Sequence, residues 1–353
     1  WTGKVIVLTL IGFAMTDFVI TITMSAADAT HHIVENPLLH DLVPDHPVLV
    51  TAALILGLCA LFLYGFREAI LAMVAIGVPF MALSAVIVVA GIVELVREPG
   101  PVVAWWGLVS QFDIADLGAS VARMSPGETG PVRFLAGQEG EPGLGGAAAL
   151  IAVCVLVFPK LALGMSGFET GVSVMGHIRA PDVETRIRNT RKLLVSAAVL
   201  MCTLLLGANF LAAVLIPEAA FLPGAPHGAN GRALSWMAHD LLGSVFGSIY
   251  DLSTCLILWF AGASAMAGLL AILPRYLPRF GMSPTWLGYR RPLVLAITVV
   301  CLIVNSAFSA SVEAQGAAYA TGVLVLMASG AFAVMLAEWD VGLRRLAFGA
   351  ILA

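Results

Sequence analysis

The chain has 353 residues, of which 60% are hydrophobic and only 11% charged, and its mean hydropathy is +0.97. A soluble domain of that length needs far more charge to clothe its surface, so the composition excludes a soluble globular protein and points to a polytopic membrane protein. With 18 basic and 22 acidic residues the formal net charge is −4, and no basic block could track a phosphate backbone, which excludes nucleic-acid binding as a main role.

A hydrocarbon core of about 30 Å takes about 20 apolar residues of helix. Sliding that requirement along the sequence predicts spans at 5–27, 48–66, 69–96, 147–175, 193–216, 245–273, 293–308 and 317–337, with a further one starting near Leu346. The chain starts at Trp1 without a signal-peptide pattern and stops inside an apolar run, so it is expected to be an internal piece of a longer protein. Lys4, Arg67, the cluster from Arg179 to Lys192, Arg275, Arg279, Arg290, Arg291, Arg344 and Arg345 fall on alternate span ends. Only Arg97, Arg123, Arg133 and Arg232 fall on the other side. Basic residues concentrate on the cytoplasmic side, so the first span is expected to run from inside to outside. All five cysteines, Cys59, Cys154, Cys202, Cys255 and Cys301, sit in apolar runs without metal-ligand spacing and read as packing residues.

In the first span Asp17, Thr21, Ser25 and Asp28 are spaced by four, four and three, which keeps them on one helical face. A carboxylate with hydroxyls, lacking imidazole or thiolate, suits a hard monovalent cation or a proton rather than a transition metal. The hydroxyls could instead bond back to their own helix carbonyls. Asp17 has no such local outlet, and a charge inside a span costs roughly 2.5–3.5 kcal/mol. The outer connection that follows holds His31, His32, His40 and His46 with Glu35, Asp41 and Asp45; the residue types would suit zinc, but the spacing matches no defined site. The second outer connection, from Arg97 to Gly146, is rich in Gly, Pro and Glu, with residues 102–109 expected to lie in the interface through Trp105 and Trp106. At its end Gly143, Gly145 and Ala148 fit a relaxed GxGxxA pattern, but no strand precedes them and the match reads as coincidence.

The fourth span carries Pro159, Lys160, Gly164, Gly167, Glu169, Thr170 and Gly171 in mid-membrane. A straight lipid-facing helix cannot hold these residues, and an interruption is expected around 164–171, of the kind from which transporters build ion sites. Residues 181–192, with Glu184 and Arg188 at helical spacing, read as a short amphipathic link on the inner surface. Tyr250 and Asp251, opening the sixth span, read as an interface anchor and a helix cap. Tyr319, with Thr321, could close a pathway from outside or anchor at the interface. No motif of catalysis stands in a context that could perform it, so neither an enzyme nor a cofactor is expected.

The run 16–30 (Thr-Asp-Phe-Val-Ile-Thr-Ile-Thr-Met-Ser-Ala-Ala-Asp-Ala-Thr) with 32–37 (His-Ile-Val-Glu-Asn-Pro) resembles the third membrane helix of the KimA-type family of bacterial potassium importers. Residues 161–175, 273–279 and 318–324 resemble the same family, which is related to the KUP transporters within the amino acid–polyamine–organocation superfamily. The resemblance implies an all-α integral membrane protein with the LeuT-like inverted repeat of five helices plus five. The present chain would hold helices three to ten and the start of eleven as one transporter domain, without the first two helices and the C-terminal soluble domain. It implies potassium ligands at Asp17, Thr21, Ser25 and Thr170, with Tyr319 less directly matched, and a broken sixth helix at Gly164, Gly167 and Gly171. It also implies potassium uptake coupled to protons by alternating access in a bacterial plasma membrane, and a homodimer in the full-length form. Asp17 or Glu169 would carry the coupling proton, and the sequence leaves that choice open. Two other readings compete: a proton-coupled amino-acid permease of the same superfamily, suggested by Gly167-Phe168-Glu169, and a non-transporting sensor that binds a ligand through its histidine-rich outer loops.

Overall fold

The computed structural model describes residues 2–37, 46–64, 66–110, 180–222, 228–281 and 284–340, and every regular element among them is helical. In chain order these are α1 (Thr2–Val34), α2 (Pro47–Tyr64), α3 (Phe66–Arg97), α4 (Gly100–Ser110), α5 (Val183–Leu215), α6 (Ala233–Leu242), α7 (Ser244–Tyr276), α8 (Arg290–Ala307) and α9 (Val312–Asp340). Short 3-10 turns lie at Glu218–Phe221, Leu277–Phe280 and Thr285–Gly288. Among the described residues seven helices are long and apolar enough to cross a membrane, and they match seven of the eight expected spans. The chain is therefore a helical, multi-pass membrane protein. The remaining expected span, the fourth, with Lys160, Gly164, Gly167, Glu169, Thr170 and Gly171, lies outside the described residues, as do His40, Asp41 and Asp45.

Two elements differ from the sequence expectation. Residues 183–192 are not a separate link but the opening turns of α5, a single helix of 33 residues. At 1.5 Å per residue that helix is about 50 Å long, well beyond the roughly 30 Å hydrocarbon core, so its basic first turns extend past the membrane as part of the same rod. Asp182 caps it: its Oδ2 accepts the Thr185 backbone N–H at 2.7 Å, and that bond holds the carboxyl below the usual carboxylate range. The sixth span is preceded by α6, and at Gly243 (φ 86°) the chain turns sharply into α7.

α1 lies at the centre, packed against α7, α9, α2 and α8, while α6 is wedged between α3 and the outer end of α7. Phe18 and Ile22 of α1, Leu58 and Phe62 of α2, Met266 and Leu269 of α7 and Val294 and Ile297 of α8 form the main core. In lipid no hydrophobic force drives helices together, so close backbone approach and interhelical hydrogen bonds must do it. Both are present. Gly268 of α7 lies so near Phe18 that an added Cβ would stand 2.9 Å from the ring. Thr30 and Thr51 share a hydrogen bond of 2.8 Å, Trp259 Nε1 donates to the Leu54 carbonyl at 2.8 Å, and Asn305 Nδ2 donates to the Val48 carbonyl at 3.1 Å. Outward-facing Val86, Val89, Leu206 and Ile303 remain exposed, as a lipid-facing surface requires.

Candidate functional site

The polar face of α1 is turned inward. Asp17 is 1% exposed, Thr21 and Ser25 are buried, and Asp28 is half-buried one turn further out. Thr21 donates its hydroxyl proton to the Asp17 carbonyl at 2.9 Å, the local bond that membrane hydroxyls commonly make. Its oxygen still has lone pairs to offer, because a hydroxyl donates once and accepts twice. α9 supplies the facing wall. A Cβ added at Gly322 would lie 3.4 Å from Asp17 Oδ1, so glycine lets the two helices close on the carboxylate. Tyr319 is fully buried and packs with Ile20 and Val323, which rules out the interface anchor considered from sequence. The structure thus brings together Asp17 with the turns that carry Thr21, Ser25 and Tyr319; the expected partners Glu169 and Thr170 lie outside the described residues.

A second polar centre was not expected. Asp251 is neither exposed nor a helix cap: it sits two turns inside α7 and is 1% exposed. Its Oδ1 meets His32 Nδ1 at 3.0 Å and accepts from Ser235 Oγ. Its Oδ2 meets His239 Nε2 at 3.0 Å, Asn36 Nδ2 at 3.3 Å and Arg232 at 3.4 Å. An ionised carboxylate only accepts, so both imidazoles must present an N–H to it. Arg232 also pairs with Glu35 and donates to Ser235 at 3.1 Å. Five donors from α1, α6 and the segments beside them therefore converge on one carboxylate of α7, which pins the outer ends of these helices together. Tyr250, expected as an interface anchor, is buried beside this centre, stacked on Phe80 at 5.8 Å and bonded to Ser84 at 3.3 Å.

His31 and His32 belong to the last turn of α1 rather than to a loop, because the helix runs on to Val34. Among the described residues no three His, Cys, Asp or Glu side chains are placed to hold a metal ion. Outside the Asp251 centre lies a cavity of about 390 Å³, open to the surface and walled by Asp28 and His31 of α1, Glu35 just beyond it, Arg232, and the turn Ser309–Glu313 that starts α9. Ser309 and Ala310 in that turn hold φ of 50° and 57°, a conformation uncommon for residues with a side chain.

Two patterns could have revealed the Asp251 centre: His32 with Asn36 and Ser235 with His239, each pair four residues apart and so on one side of its helix or helix end. Neither says which carboxylate it serves, since Asp251 is 219 positions from His32. Compared with known proteins, the chain matches no family model and no curated sequence.

Proposed function

We propose that the chain is the transport domain of a secondary transporter that moves a monovalent cation through the bundle by alternating access, with no enzymatic step. The observation that carries the reading is Asp17, a carboxylate 1% exposed in the middle of a spanning helix, in line with two buried hydroxyls and faced by a glycine. A charge so placed is costly, and membrane proteins keep such charges where ions or protons pass. Potassium is the cation implied by the sequence resemblance, and the donor set agrees with it: oxygens only, of moderate field strength, able to replace a hydration shell. In this reading Asp17 supplies the charge, the Thr21 and Ser25 oxygens supply neutral ligands, and Thr170 and Tyr319 complete the shell. Inward proton movement would be coupled through Asp17 or Glu169, in a bacterial plasma membrane.

The test is potassium-limited growth and potassium uptake by a strain lacking its own importers and carrying the full-length parent protein, with membrane abundance checked. Wild type is expected to rescue growth, and Asp17→Asn to lower uptake kcat/KM by about a hundredfold, the worth of roughly 3 kcal/mol for a desolvated charge partner. A well-expressed parent that takes up no potassium but does take up amino acids would sink the potassium reading in favour of the permease.

A further inference from the structure

Gln315 is a fully buried side chain, 0% exposed, and neither its amide oxygen nor its amide nitrogen has a hydrogen-bond partner. Buried amides without partners are rare because water satisfied them in the unfolded chain, so an orphan in a native structure calls for an explanation. Its position supplies one. Gln315, Tyr319 and Gly322 follow at spacings of four and three, on the face of α9 that packs on α1. The two helices are antiparallel and Gly322 lies against Asp17. Counting outward from that contact at equal rise on both helices, Gln315 stands level with Met24 and Ser25, and Ser311 level with Asp28. Asp28 and Ser311 are both walls of the outer cavity. Gln315 is therefore one turn below the cavity floor and two turns above Asp17, between the cavity and the buried carboxylate.

We propose that Gln315 is an outer cation-binding residue, whose amide carbonyl, with Ser25 across the helix pair, receives a monovalent cation from the cavity before it reaches Asp17. The inference rests on the transport reading above. An amide oxygen is a hard, neutral ligand of the kind that replaces hydration water around potassium, and it holds the ion loosely enough to release it inward. The amide, without a protein partner, is satisfied when the cation arrives, together with the water that remains on the ion.

The experiment uses the full-length protein in proteoliposomes, with potassium as the probe, and compares wild type, Gln315→Leu and Gln315→Glu. Gln315→Leu is expected to raise the external KM for potassium about tenfold, the loss of one charge-assisted ligand, with kcat and the KM for efflux from the inner side little changed. Its melting temperature should equal or exceed that of the wild type, since an apolar side chain of similar shape removes an unsatisfied amide. Gln315→Glu, which keeps an oxygen there, should hold the wild-type KM or lower it. An unchanged KM in Gln315→Leu, with wild-type uptake intact, overturns the proposal and leaves the transport reading standing. A lowered melting temperature also overturns it, because it would show a structural bond. Wild-type protein that neither takes up potassium nor loses binding in Asp17→Asn defeats the transport reading itself, and this inference with it.

Discussion

Asp251 shows how much a single buried carboxylate can organise when its partners come from several elements. Two imidazoles, a hydroxyl, an amide and a guanidinium meet it, and the acid itself, 1% exposed, has no water to fall back on. Asp251→Ala should therefore destabilise the protein by about 3–5 kcal/mol, because it takes from Arg232, Ser235, Asn36 and the two histidines the acceptor they share. Thermal unfolding in detergent reads the loss. Asp251→Asn, which keeps one acceptor and the volume, should cost clearly less. If Asp251→Ala melted with the wild type, the centre would carry no structural weight. Gly247 is part of the same arrangement: a Cβ there would overlap the His239 ring, so only glycine allows the imidazole to lie over α7 and reach the acid. Asp17 is the contrasting case. It was legible from sequence because a charge inside an apolar run is conspicuous by itself, whereas Asp251 stands near a span end, where an acid has ordinary explanations.

Among the described helices, α1 and α7 share the most extensive contact, and Gly268 marks a tight point along it, against the Phe18 ring. A side chain there must push Phe18, which precedes its own helix neighbours in the core and directly follows Asp17 in the chain. Gly268→Val should cost about 1–3 kcal/mol of stability through overpacking and, under the proposed transport reading, should also weaken cation affinity by moving Asp17. Adding Phe18→Leu should recover part of both losses, since the two residues share one space and their effects cannot be additive. A double variant as damaged as the sum of the singles would show that Gly268 and Phe18 do not compete for that space. The elements themselves were largely legible: seven expected spans appear as helices, because a run of about 20 apolar residues is a local signal that needs no knowledge of neighbours. Their ends were less so. The polar turns at 183–192 continue α5, since a formed helix extends into water at little cost per residue, and those at 28–34 continue α1 because Thr30 and His32 find buried partners on α2 and α7. The α1 stripe was legible as a pattern, but Gln315 was not, because a single glutamine near a span end carries no charge to draw notice and its meaning comes only from the register of α9 against α1.

For the whole molecule, the distribution of charge predicts its orientation in the membrane, and the fold keeps that distribution consistent. α1, α3, α5 and α8 run in one direction, and α2, α7 and α9 in the other. Arg186, Arg188, Arg191 and Lys192 open α5, Arg275 and Arg279 close α7 and its following turn, and Arg290 and Arg291 open α8. All of these belong to one end of the bundle. Arg275 and Arg279 lie over the Tyr276 ring and Arg290 over Phe62, each at 5.9 Å, contacts that keep the cations at the rim while their stems cover apolar surface. The opposite end holds Asp28, Glu35 and Glu313 around the cavity, and its buried Arg232 is already paired with Glu35 and Asp251. Since basic residues are retained on the cytoplasmic side, the cavity should open outside, which is also the direction from which an imported cation would approach the acidic wall. In a cysteine-free background, Glu313→Cys should react with a membrane-impermeant maleimide applied to intact cells. Tyr289→Cys, exposed at the basic end, should react only after the cells are opened. The reverse labelling would turn the cavity toward the cytoplasm, and Gln315 and Asp28 would then stand on the route by which a cation leaves.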